Sequence, residues 1–204
     1  LTELAAGQLA IVNQQVPLAK AIARETDAQR KHLLAEVPAI LAYAEDVMDM
    51  PAGESYRGYY ATERAGMTFV LTASEKTRFA PYTWWFPITG EIEYRSYFAE
   101  KSAREAERER QAEGYDTFVS PSRAYSTLGF FRDPVSTTML RAGLTGLVEV
   151  LLHELAHTRH FVAGQTAWNE ALATFVGVTG TSAYFARPRF QGTPYAALWQ
   201  KRVE

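Results

Sequence analysis

The sequence predicts an α+β domain whose helices and strands are segregated along the chain. Three observations predict it. Helical spacing of apolar residues fills the first fifty positions, β-branched and aromatic runs cluster in the middle, and a long apolar helix pattern returns near residue 144. A parallel-sheet protein would alternate strand and helix instead. With 204 residues, one domain with a sizeable core is expected. We divide it into a helical N-terminal region (1–50), a mixed β region with a charged helix (54–140), a helix pair (143–180) and a C-terminal tail (181–204).

The first helix is predicted from Leu4, Ala5, Leu9, Val12 and Val16, with a turn or kink at Pro17. A second helical region starts near Asp27 with Thr26 as N-cap, is interrupted near Pro38, and ends at Pro51 and Gly53. Strands are predicted at 66–74, 82–90 and 91–98. "AEKSAREAERERQAEG" follows as a charged, solvated helix ending at Gly114. Glu100–Arg104 and Lys101–Glu105 are its (i, i+4) pairs of opposite sign. "YDTFVS" and "RAYSTLGFF" read as two further strands, and Asp133 as the cap of a short helical piece. The strongest helix runs from about Leu144 to Val162. Leu144, Leu147, Val148, Leu151, Leu152 and Leu155 form its apolar stripe. Gly164 breaks it. Thr166 can cap a second helix ending near Gly180, and a loop and short helix close the chain.

Composition narrows the function. A hydrophobic share of 47% and a charged share of 22% are those of a soluble globular chain. Net charge is −2 and no basic run is interleaved with aromatics, which argues against nucleic acid as a partner. No apolar run is long enough for a transmembrane helix. Cysteine is absent, which excludes disulfides, thiolate metal sites and a cysteine nucleophile. The chain opens on Leu1 rather than methionine, so removal of an upstream signal or tag is expected.

"LLHELAHTRH" (151–160) holds three of the four histidines. On a helix, His153 and His157 lie four apart on one face. Two imidazole nitrogens so placed can bind one Zn²⁺. Glu154 projects roughly 100° round the helix from His153, away from that ion but within reach of a water beside it. This is the HExxH arrangement of a metallohydrolase, with Glu154 as general base. A third ligand is expected from the next helix. Glu170 follows His157 with twelve residues between them, which suits a tight turn and an antiparallel return. His160 is set about 60° away round the helix and reads as a surface or supporting residue, and His32 has no assigned role. Hydrolysis of a carbonyl also needs an oxyanion partner. Tyr94, Arg95, Tyr97 and Tyr125 precede the active helix, and Tyr97 and Tyr125 are the candidates carried forward. The "AYSTLGFF" strand is the candidate for pairing with a peptide substrate.

These residues together resemble the putative bacterial aminopeptidase family, which carries HELAH followed by an NE-type helix in the gluzincin manner. "FPITGEIEYRSYF" (86–98), "AYSTLGFFRDPVSTTML" (124–140), "GQTAWNEALATFV" (164–176) and the opening "AAGQLAI" are similar to its segments. The resemblance implies a zincin-like metallopeptidase fold, Zn²⁺ held by His153, His157 and Glu170, and a peptide substrate. It also implies an exported protein, periplasmic or anchored to the outer membrane, with a lipid anchor upstream. Gln165 stands where the family has Asp. Thr174 stands where thermolysin-like gluzincins have the Asp that orients a zinc histidine. No Gly-x-Met-x-Asn type segment for a substrate's free amine occurs. Two alternatives stand beside the aminopeptidase: an endopeptidase of the same mechanism, and a non-catalytic zinc-stabilised module that binds a peptide or partner.

Overall fold

The computed structural model describes residues 2–87, 89–122, 124 and 132–204, with side chains from residue 7 onward apart from residue 8. Three helices open the chain: α1 (Thr2–Gln14), α2 (Leu18–Arg24) and α3 (Ala28–Met48). The cap of α3 lies one residue beyond the expected Thr26. Asp27 accepts the Arg30 N–H at 2.7 Å, and a carboxylate there also complements the helix dipole. Pro38 does not interrupt α3. A mid-helix proline costs about 3 kcal/mol, but Leu34, Val37 and Ile40 beside it are fully buried. Burying each contributes about 1.5–3 kcal/mol, so packing offsets the missing hydrogen bond.

The strands are β1 (Val16–Pro17), β2 (Gly58–Tyr60), β3 (Thr68–Ser74) and β4 (Trp84–Phe86). β5 (Gly90–Ile92), β6 (Tyr94–Tyr97), β7 (Asp116–Ser122) and β8 (Val135–Ser136) follow. β1, β2 and β8 form one small sheet, with β2 antiparallel to β1 and parallel to β8. These short strands carry no readable alternation and were not expected. β4 and β5 make a hairpin. The sheet that matters for the site has the order β6-β3-β7, all antiparallel. The charged helix α4 (Glu100–Ala112) covers one face of it. Phe69, Leu71, Tyr97 and Val119 pack there with Ala103. Both predicted ion pairs of α4 form, Arg104–Glu100 at 3.4 Å and Lys101–Glu105 at 3.9 Å.

The remaining helices are α5 (Thr137–Leu140), α6 (Gly143–Arg159), α7 (Thr166–Phe185) and α8 (Tyr195–Val203), with a 3₁₀ turn at Pro188–Phe190. The main core lies where α3, α6 and α7 meet. The whole predicted stripe of α6 is buried in it. α7 runs five residues past Gly180, because Gly180 faces Leu152 and Met48 in a close helix crossing rather than ending the helix. Asp133 is no helix cap: Ser136 precedes α5, and Asp133 is buried, its carbonyl accepting the Tyr56 N–H at 2.6 Å. The architecture is therefore mixed α+β, as expected. Most of the predicted "RAYSTLGFF" strand, with Tyr125, lies outside the described residues.

Candidate active site

α6 buries its leucine stripe in the main core and turns His153, Glu154 and His157 toward the sheet. α7 returns along it after the turn at residues 160–165. That turn is fixed by three contacts. Gly164, at φ 72°, takes a left-handed conformation that favours glycine, and its N–H donates to the Thr89 carbonyl at 2.9 Å. Buried Asn169 clamps the turn from inside. Its Nδ2 donates to the Val162 carbonyl at 2.8 Å, and its Oδ1 accepts the Val162 N–H at 2.9 Å. Glu170, the next residue, is thereby aimed at the two imidazoles.

The result is a convergence of three ligand atoms. His153 Nε2 and His157 Nε2 are 3.2 Å apart. Glu170 Oε2 is 3.5 Å from the first and 3.7 Å from the second. A tetrahedral ion with bonds of about 2.0–2.1 Å has ligand–ligand edges of about 3.3–3.4 Å. The three separations bracket that value, so the donor set fits one small metal ion. All the ligand-capable atoms lie within 4.8 Å of one another, and no other such group of three or more His, Cys, Asp or Glu occurs among the described residues. The nearby imidazoles of His153 and His157 hold the Glu170 carboxyl well below the usual range; burial opposes them.

Glu154 lies part-buried in the same cavity, about 440 Å³ in volume. Burial pushes its carboxyl up from an ordinary 4.5 to about 7, against the pull of His153, and the charges of Glu170 and Asp133 add to the rise. A bound dication would draw it down again. Thr68 and Val70 of β3, Ser96 of β6 and Ser122 of β7 form the opposite wall. Tyr94 points in as well, its hydroxyl donating to Glu170 Oε1 at 3.4 Å.

A family model described as "Putative aminopeptidase" matches residues 1–203. The chain belongs to that family. No curated protein and no solved structure matches it. The family's description suggests peptidase activity, of the hydrolase class.

The structure brings together His153, Glu154, His157 and Glu170 as the spacing predicts. It does not bring Tyr97. Successive strand residues face opposite sides of a sheet, so Tyr94 and Ser96 face the cavity while Arg95 and Tyr97 face α4. The Arg95 guanidinium sits 5.1 Å from the Tyr97 ring centroid on that side. Tyr125, the other tyrosine candidate, falls outside the described residues. Thr174 is exposed and borders a shallow depression with Phe175 and Val178. His157 Nδ1 is buried and has no hydrogen-bond partner among the described residues. His160 is exposed at the end of α6, and Tyr195 lies 3.4 Å from His32 far from the cavity.

Two supporting residues went unread. For Asn169 the available signal is a polar residue beside Glu170 at the start of an apolar helix, where a side-chain clamp on the preceding turn is expected. Gly177 lets α7 approach α6 closely. A Cβ there would lie 3.1 Å from the Glu149 carbonyl oxygen and 3.3 Å from His153 Cβ. A glycine amid an apolar helix pattern was the available clue.

Proposed function

We propose that the protein is a zinc-dependent peptidase of zincin-like design, with His153, His157 and Glu170 as ligands and Glu154 as general base. The observation that carries this reading is the triangle of ligand atoms at near-tetrahedral spacing beside a part-buried carboxylate in one cavity. Two imidazoles and one carboxylate with an open fourth position are a donor set that zinc takes, and zinc held there would supply Lewis acidity and make water a stronger acid. Glu154 then accepts a proton from the attacking water and returns it to the leaving amine. We assign the oxyanion partner to Tyr94, whose hydroxyl reaches the cavity and would turn from Glu170 to the oxyanion.

Elemental analysis of freshly purified wild type beside His157→Ala tests the metal. About one zinc per chain in the wild type, lost in the variant, is expected. No zinc in either after zinc is added would sink the reading. For the chemistry, Glu154→Gln should keep its zinc and lose peptide hydrolysis by about 10²-fold or more.

A further inference from the structure

A second depression, about 530 Å³ in volume, meets the first cavity at Tyr94 and Glu170. Glu93 lines it. In an unbroken strand Glu93 and Tyr94 would face opposite sides. A bend at Glu93 separates β5 from β6 and brings both residues to this one depression. Glu93 is also an exception in the charge pattern of the molecule. A half-buried carboxylate loses hydration and is normally paired. Outside the candidate active site, Glu25, Glu36, Glu75, Glu107 and Glu149 are half-buried, and each has an arginine partner: Arg30, Arg189, Arg78, Arg104 and Arg202. Glu93 is half-buried too, yet among the described residues it has no cation and no hydrogen bond. The N-terminus of α7 borders the depression at Thr166 and Ala167, but no N–H there donates to Glu93 among the described residues.

We infer that Glu93 binds an ammonium group of the peptide substrate and is thereby a specificity-determining residue of the site. This rests on the peptidase reading above. The cation that every comparable carboxylate finds within the chain arrives here with the substrate. The α-ammonium of an N-terminal residue fits the position. Its nitrogen lies two bonds, about 2.5 Å, from the scissile carbonyl carbon, so it stands beside the ligand cluster, where the depression meets Glu170. Glu170 is not free to take it, because its carboxylate faces the two imidazoles. The family's description likewise suggests a substrate with a free N-terminus. A lysine side chain in the first position offers the same chemistry from a longer reach. Asp116 also lines the depression but is exposed, so water screens its charge. Glu93, with less water around it, makes the stronger contact to an ammonium.

The test compares zinc-loaded wild type, Glu93→Gln and Glu93→Asp on three peptides. They are alanine tripeptide amide with a free N-terminus, the same peptide acetylated, and the acetylated peptide with lysine in place of its first alanine. For the free peptide, Glu93→Gln should raise KM about tenfold or more with kcat within about threefold, the loss of one charged hydrogen bond that binds ground and transition states alike. The acetylated alanine peptide should be unaffected. Glu93→Asp keeps the charge one methylene short and should restore part of the affinity. Zinc content and Tm should not fall in Glu93→Gln, because no native contact is lost; a structural role, such as support of the α7 N-terminus, would lower Tm instead. An effect confined to the lysine peptide would keep the ammonium contact and move its source to the side chain. Unchanged KM for both charged peptides, or equal losses on all three, would overturn the inference while leaving a peptidase. If the wild type cuts no peptide, blocked or free, the peptidase reading fails and this inference with it.

Discussion

Glu154→Gln should stabilise the metal-free protein at alkaline pH and hardly affect it in acid. The sign follows from linkage. The carboxyl titrates at about 4.5 when unfolded and about 7 when folded. Below 4.5 both states are protonated, and glutamine is nearly isosteric with the neutral acid. Between 4.5 and 7 the unfolded chain ionises while the folded one keeps its proton, so the wild type loses stability as pH rises. Above 7 the loss is complete. At 1.36 kcal/mol per pH unit its ceiling is about 3 kcal/mol, and the part-exposed carboxyl, screened by cavity water, lowers this to about 2 kcal/mol. Urea unfolding of chelator-treated protein at pH 5 and pH 8.5 is the assay. The variant's advantage should grow from under about 1 kcal/mol to about 2 kcal/mol, or about 4–8 °C in Tm at this chain length. Zinc should shrink the difference, because a dication favours the ionised carboxyl. Parallel pH profiles for the two metal-free proteins would refute the claim that burial strains this group.

Gly177→Val should push α7 away from His153, cost about 1–3 kcal/mol and weaken zinc binding at least tenfold in chelator competition; unchanged zinc affinity would show that the close crossing is not needed by the site. Asn169→Ala removes both amide contacts to Val162. It should cost about 2–3 kcal/mol in denaturant unfolding and lower zinc content, and a neutral result would mean that the turn holds Glu170 without its clamp. Tyr94→Phe should lower kcat at least tenfold with zinc content unchanged. Loss of zinc with normal turnover per bound zinc would instead reduce Tyr94 to a partner of Glu170.

The ligand set was legible because helical pitch and a short turn leave little freedom. His153 and His157 must share a face, and twelve intervening residues bring Glu170 back to them. The tyrosines were less legible because "YRSY" has an aromatic at both ends. Positions 94 and 97 fall on opposite faces of a strand, and the sequence does not say which face meets the cavity. A shift of one residue exchanges every side chain between faces. The proline in α3 misled for another reason. Local propensity penalises Pro38, but the decisive energy is the burial of Leu34, Val37 and Ile40. The two-residue strands β1 and β8 were invisible because their partner β2 is distant in sequence and they are too short to alternate.

The His153–His157–Glu170 cluster and the wall opposite it come from different cores. His153, His157 and Glu170 all stand on α6 and α7, whose buried faces belong to the main core with α3. The opposite wall stands on β3, β6 and β7, whose other face closes against α4 in a separate small core. Three hydrogen bonds among the described residues join the two sides here. Tyr94 reaches across to Glu170, and the β4–β5 hairpin supports the α6–α7 turn through Thr89 to Gly164 and Glu91 to Thr166. Such a junction separates two demands. Metal ligands must be held within a few tenths of an ångström, which a short turn between two well-packed helices provides. The cavity wall that faces them asks only for backbone regularity and small side chains, which strands of threonine, valine and serine provide. The hydroxyl of Tyr94 is where the two demands meet, since it belongs to the wall by its strand and to the His153–His157–Glu170 cluster by its hydrogen bond.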